Sequence, residues 1–192
     1  MTQYGFYYDA TKCNGCRVCQ VACKDRNNLP VGELFRRMTS YETGKYPHPS
    51  MYHNSATCNH CEDPACVRNC PTTAMHKTED GTVQHDDDKC LGCKACVMAC
   101  PYDVPVYLED KSIVGKCDSC ANIRANGGNP VCVDACTMRA LDFGDVEELK
   151  KKYGNDLSKD AAILPSSNIT HPSTLIKKKS AMDDHDVSVC PL

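Results

Sequence analysis

The stretch Cys13-Asn14-Gly15-Cys16-Arg17-Val18-Cys19-Gln20-Val21-Ala22-Cys23 sets four cysteines within eleven residues. The same spacing returns in Cys90-Leu91-Gly92-Cys93-Lys94-Ala95-Cys96-Val97-Met98-Ala99-Cys100. Two further groups keep the opening C-x-x-C and the closing C-x-x-x-C but lengthen the middle. Cys58, Cys61, Cys66 and Cys70 have four residues there; Cys117, Cys120, Cys132 and Cys136 have eleven. A regular group followed by a stretched group occurs twice. That is an internal repeat, and it predicts a duplicated unit. Of seventeen cysteines in 192 residues, only Cys190 falls outside the four groups.

Three kinds of cross-link compete for such a pattern. Disulfides need an oxidising compartment. The segment Met1-Thr2-Gln3-Tyr4-Gly5-Phe6 has neither the charged nor the apolar region of a signal peptide, and the cysteine count is odd. Zinc takes a closed tetrahedral site, usually from two C-x-x-C pairs with a long linker. Four cysteines in eleven residues, with Pro101 following Cys100, fit that poorly. A cube of four irons needs four thiolates. A C-x-x-C-x-x-C loop wraps three of its corners, and the fourth cysteine serves the other cluster of a pair. Sixteen cysteines in four groups therefore predict four [4Fe-4S] clusters, with backbone amides donating to the sulfurs.

Composition agrees with a metal-supported fold. Trp is absent and Phe appears three times, too few large side chains for a deep core. No window approaches 18 apolar residues, so no segment is expected to span a membrane. The formal charge is -3. Four oxidised clusters with their thiolates would add about -8, giving about -11. That charge, and the lack of a basic stripe interleaved with aromatics, argue against nucleic acid as a partner. Nothing supplies a nucleophile–base pair or a substrate pocket, so no catalysis is expected of the chain alone.

Local signals give a coarse outline. Tyr4 to Asp9 reads as an aromatic strand leading into the first group. Thr73 to Lys77 and Thr82 to Gln84 flank Glu79-Asp80-Gly81 and read as a hairpin. Arg139 to Phe143 reads as a strand, and Val146 to Tyr153 as a helix capped by Asp145 and stopped by Gly154. The last cysteine of each group is expected to start or sit on a short helix, with Pro71 and Pro101 setting the chain direction after Cys70 and Cys100. Val31 to Tyr52 reads as a polar connector. From Lys159 on, the prolines predict an extended, surface-lying tail that drapes over a partner.

Several segments closely resemble the iron–sulfur subunits of the anaerobic dimethyl sulfoxide reductase family, within the wider four-cluster ferredoxin-like subunits of molybdopterin oxidoreductases. They are Gln3-Tyr4-Gly5-Phe6, Cys58-Asn59-His60-Cys61-Glu62-Asp63-Pro64-Ala65-Cys66, Ala74-Met75-His76-Lys77, Met98-Ala99-Cys100-Pro101-Tyr102 and Arg139-Ala140-Leu141-Asp142-Phe143-Gly144. The likeness covers residues 1 to about 153, and the tail matches only loosely.

The resemblance implies an α+β fold: a duplicated bacterial-type two-cluster ferredoxin with short strands and helices around the clusters, plus an extended C-terminal tail. It implies an outer unit from residues 1–54 and 107–153, an inner unit from residues 55–106, and a partner-wrapping tail over 154–192. It also implies the ligand sets. One cluster would take Cys58, Cys61, Cys66 and Cys100, and a second Cys90, Cys93, Cys96 and Cys70. A third would take Cys13, Cys16, Cys19 and Cys136, and the fourth Cys117, Cys120, Cys132 and Cys23. The implied partners are a molybdopterin-containing catalytic subunit and a membrane anchor subunit oxidising menaquinol. The alternative is the small subunit of a soluble molybdenum enzyme with no quinol link. The implied location is the membrane, through partners, on the extracytoplasmic face by co-export with the catalytic subunit; the cytoplasm is the alternative.

Other polar residues carry weaker expectations. Lys12, Lys89 and Lys116 each precede the first cysteine of a group, where a cation would favour a reduced cluster. A solvated surface lysine is the commoner case. His60, between Cys58 and Cys61, is expected to make a hydrogen bond in the surroundings of a cluster. His48, His53, His76 and His85 have no ligand spacing. Arg36 and Arg37 read equally as a docking patch for an acidic partner or as solvated charges, and Cys190 as a bystander.

Overall fold

The structure, a computed structural model, describes residues 2–190. Its elements are short. In order they are β1 (Tyr4–Asp9), α1 (Val18–Arg26), β2 (Arg37–Thr43), β3 (Ser50–Ala56), α2 (Ala65–Arg68), β4 (Met75–Lys77), β5 (Val83–His85) and α3 (Ala95–Ala99). After them come β6 (Val106–Leu108), β7 (Ile113–Gly115), α4 (Ala121–Ala125), α5 (Val131–Asp134), β8 (Leu141–Asp145), α6 (Val146–Tyr153), β9 (Leu175–Lys177) and β10 (Val187–Val189). This is an α+β architecture, and no helix among the described residues is long and apolar enough to cross a membrane.

Strand β1 is the centre of a three-stranded sheet. It runs antiparallel to β8, with Phe6 opposite Phe143, and parallel to β9, with Tyr8 opposite Ile176. Its aromatic side chains explain the position: Phe6, Tyr7 and Tyr8 are all buried. One sheet thus ties the segment preceding the first cysteine group to the segments following the last. A second sheet places β2 between β3 and β10, and β4–β5 and β6–β7 are separate hairpins.

The main core mixes aromatic residues with cysteine. Phe6, Tyr8, Met38 and Tyr52 share it with Cys19, Cys23, Cys58, Cys117 and Cys132. A smaller cluster of Tyr7, Val146, Leu149 and Leu175 anchors α6. The Asp145 carboxylate caps that helix by accepting from the Glu147 and Glu148 N–H groups at 2.9 and 3.1 Å. The chain turns away at Gly154, where φ is 87°.

Three expectations differ from what is observed. The connector contains a regular hairpin, β2–β3, with Thr39 opposite Asn54 and Tyr41 opposite Tyr52. Alternation explains it: Met38 and Ser40 point inward, Arg37 and Thr39 do not. The helices also sit one cysteine earlier than expected. Cys19, Cys66, Cys96 and Cys132 lie within α1, α2, α3 and α5. Cys23 alone of the closing cysteines is helical, because three of the helices last about one turn and two meet proline after Cys70 or Cys100. Finally, the tail is extended but packs on its own chain. Leu175 and Ile176 enter the central sheet, and Met182 is fully buried. Their apolar surface outweighs the prolines around them.

Candidate metal centres

All four C-x-x-C loops share one backbone feature. The residue before the second cysteine has positive φ: Gly15 (73°), His60 (43°), Gly92 (65°) and Ser119 (53°). Such a turn points successive N–H groups inward, toward an anionic ligand. At Gly92 no side chain is possible, because a Cβ would lie 2.3 Å from the Ser112 carbonyl oxygen. His60 and Ser119 adopt the same conformation with a side chain, at a strain of roughly 1–3 kcal/mol each.

The fold brings the sixteen grouped cysteines into four quartets. Cys13, Cys16, Cys19 and Cys136 line one hollow, of about 300 Å³ with its open mouth included, together with Tyr8 and Ser55. Cys70, Cys90, Cys93 and Cys96 line a second of about 280 Å³. Cys23 lies within electrostatic reach of Cys117, Cys120 and Cys132, where α1 packs on α5. Cys61 and Cys66 lie within reach of Cys100, and Cys58 within reach of Cys66. Cys190 joins none of these; its N–H donates to the Ser40 carbonyl at 2.9 Å beside β10.

Each quartet neighbours the next, in a succession called the row below. Cys132 reaches Cys19, Cys58 reaches Cys117, and Cys66 reaches Cys96. The order is therefore the Cys13, Cys23, Cys58 and Cys70 quartets, each named for its first member. The terminal quartets each hold one exposed thiol, Cys16 and Cys93, whereas every thiol of the Cys23 quartet is buried.

Donors already aim at the sulfurs. The N–H groups of Ser119 and Ala140 lie 3.3 Å from Cys117 Sγ and Cys136 Sγ. Met75 N–H is 3.4 Å from Cys70 Sγ, and Gly92 and Val114 each donate to Cys90 Sγ at 3.5 Å. Eight of the sixteen thiols resist ionisation on their own, because burial raises their pKa. Burial pushes Cys58 up to about 12 although Lys116 pulls the other way, and it pushes Cys66, Cys96 and Cys132 up to about 11. A bound metal reverses that balance by binding the thiolate directly.

Thiols gathered in fours, two of the sets around a hollow, with backbone N–H groups donating to several of the sulfurs, suit a large anionic group that takes four thiolates.

Two cations lie inside, and they differ from the sequence expectation. Arg36 is 1% exposed rather than solvated or displayed for docking. Lys116 is 5% exposed and donates to the carbonyls of Val83 and, at 2.8 Å, Cys117. Lys12 and Lys89 are ordinary surface lysines, paired with Asp9 and Asp86. Arg37 is exposed and donates to the Asp103 carbonyl. The signal for Arg36 was the alternation of β2: Arg36, Met38 and Ser40 share the inward phase. Lys116 was marked only by its place before Cys117, which Lys12 and Lys89 share before their own groups and which does not tell a buried lysine from a solvated one.

His60 is fully buried, and burial, then Lys116 and Arg124, hold its pKa well below the usual range. Its Nδ1 accepts from Val83 N–H at 3.0 Å, which leaves the proton on Nε2, a buried donor with no protein partner. His53 and His85 bond instead to Ser40 and Asp87.

Comparison with known proteins agrees with this chemistry. Residues 49–146 match a family model described as a 4Fe-4S dicluster domain, and residues 10–31 match a 4Fe-4S binding domain. One chain of the anaerobic dimethyl sulfoxide reductase of Escherichia coli strain K12 is 47% identical over 184 residues, covering 92% of this protein and 89% of that one. The thiosulfate reductase electron transfer subunit of Salmonella typhi is 37% identical over 150 residues, covering 76% of this protein and 78% of its own length. A sulfite dehydrogenase subunit of Allochromatium vinosum is 35% identical over 170 residues, covering 77% and 71%.

Proposed function

Because this protein belongs to the family of iron–sulfur subunits of anaerobic dimethyl sulfoxide reductase, we propose that it passes single electrons through four [4Fe-4S] clusters from a quinol-oxidising membrane subunit to a molybdopterin-containing catalytic subunit. The clusters supply one-electron redox chemistry when bound. The protein holds them, spaces them, keeps water from the middle of the row and tunes them with N–H groups and buried cations.

The ligand sets of this proposal are Cys13/Cys16/Cys19/Cys136, Cys23/Cys117/Cys120/Cys132, Cys58/Cys61/Cys66/Cys100 and Cys70/Cys90/Cys93/Cys96. The two sets made from the second and third cysteine groups form an inner unit, residues 55–106. The other two form an outer unit from 1–54 and 107–153. The observation that carries the reading is the row itself: each quartet lies within electrostatic reach of the next, and an exposed thiol stands at either end. Such ends suit exchange with two different partners. The protein would then lie at the membrane through those partners, on the extracytoplasmic face by co-export.

Anaerobic purification with whatever polypeptides accompany it is the test. The expected result is a brown protein with about sixteen irons per polypeptide that co-purifies with a catalytic and a membrane subunit. A colourless, zinc-containing protein overturns the cluster reading. Co-purification with a soluble catalytic partner alone overturns the quinol link.

A further inference from the structure

Arg36 lies in the interior with no acid to meet it. Among the described residues it joins no ion pair with a carboxylate. Its Nη1 donates to the Ser55 hydroxyl at 2.9 Å and to the Ser55 carbonyl at 3.3 Å. Its guanidinium lies 4.7 Å from the centre of the Phe6 ring. Nε and Nη2 are buried without a hydrogen-bond partner. An isolated cation in such a place is strongly disfavoured unless negative charge stands nearby. The nearest candidates are sulfurs. Ser55 Oγ, on which Nη1 rests, is 3.7 Å from Cys19 Sγ. Burial opposes the charge on Arg36, but Cys132, Cys19, Cys117 and Cys23 outweigh it, so the guanidinium stays charged. Those four belong to two neighbouring quartets.

We propose that Arg36 is the shared counter-cation of the Cys13 and Cys23 quartets, set between them to raise the reduction potential of both. The inference rests on reading the quartets as cluster sites. A cluster with its four thiolates is negative when oxidised and more negative by one when reduced. A fixed cation attracts the reduced form more and so makes reduction easier. Arginine suits the role because it keeps its charge at any working pH and is weakly hydrated, so burial does not neutralise it.

The competing view makes Arg36 a strut that holds β2 against Ser55. A strut contributes to stability but does not select two centres. Redox titration followed by electron paramagnetic resonance, on the full chain with its partners, separates the two. In R36M with full iron content, two of the four cluster signals should titrate at lower potential while two stay in place. R36K should restore most of the shift. Four unchanged signals, or four shifted together, overturn the proposal. If R36M does not retain iron, S55A decides. Loss of the hydroxyl that orients Nη1 should lower both potentials, whereas a change at one centre alone, reporting only the lost contact to Cys19, or at neither, overturns it. A wild-type protein that carries no iron defeats the cluster reading itself, before any variant is compared.

Discussion

The Cys23 quartet and the Cys70 quartet are built from the same residue type in opposite surroundings. All four thiols of the first are buried, with Arg36 within reach of Cys23, Cys117 and Cys132. The second sits under the β4–β5 hairpin, with Cys93 exposed and Leu91 and Met98 standing in solvent at 73% and 80% exposure. In the middle of the row the protein supplies counter-charge and excludes water, so that centre is part of the core. At the end it supplies backbone N–H donors from Met75, Gly92 and Val114 and leaves the surface open. Spacing alone makes a cubane loop; the surroundings decide whether that loop supports the fold or faces a partner.

Substitution of one thiol in each region should give the largest contrast. Under the proposed ligand sets, C132S would remove a ligand from the buried centre, leave Cys23, Cys117 and Cys120 without a full complement and strand Arg36 beside them. The expected outcome is loss of well over one cluster's iron and failure to accumulate folded protein. C93S acts at an exposed thiol, and the expected outcome is a folded protein lacking at most about four of about sixteen irons. Iron analysis and near-ultraviolet circular dichroism on anaerobically prepared protein check both. Equal losses would mean that the buried centre contributes no more to folding than the exposed one.

The contrast between these regions was only half legible in the sequence. The four groups, the strands at Tyr4 to Asp9 and after Cys136, the β4–β5 hairpin and the capped helix α6 were all readable. Each depends on local chemistry: spacing, a turn, a cap. The β2–β3 hairpin was hidden because its strands carry polar residues on both faces, and inward Ser40 and Asn54 do not look like core. Arg36 and Lys116 were hidden for a related reason. A cation becomes a core residue only beside the negative charge of several thiolates, and those come from residues about 13 to 100 positions away in sequence. Ser119 and His60 adopt a glycine-like conformation that nothing in their side chains announces.

A second contrast sets Lys116 against Lys89, two lysines in the same position before a cysteine group. K116M removes the donor from the Val83 and Cys117 carbonyls, at about 1–3 kcal/mol for buried acceptors left unpaired. It also removes a cation within reach of Cys58 and Cys66. Stability should fall by that amount and the potential of the Cys58 quartet should drop. K89M, on a surface lysine paired with Asp86, should leave both stability and the potentials in place. Chemical denaturation and redox titration of the two variants side by side provide the check. Equal effects would remove the distinction between a buried and a solvated lysine.

The smallest effect concerns how the two regions are joined. Asp80, in the turn of the β4–β5 hairpin, accepts from Thr78 and Thr82 and pairs with Arg124 of α4 at 2.8 Å. Burial opposes its ionisation, but these hydrogen bonds and the guanidinium hold its carboxyl well below the usual carboxylate range. A carboxyl with a lowered folded pKa stabilises the fold fully above its unfolded value, about 3.9. It loses that contribution as pH falls toward the folded value. Because the pair is partly exposed, its contribution is discounted for solvent screening to about 1–2 kcal/mol at neutral pH. D80N should therefore be less stable than wild type by that amount, with a constant gap from pH 8 down to about 5 that narrows as acid protonates Asp80 in both folded and unfolded states. Anaerobic thermal unfolding across that range measures it. A gap that widens in acid would mean that Asp80 acts through something other than its charge, and that the turn and α4 are not joined by this pair.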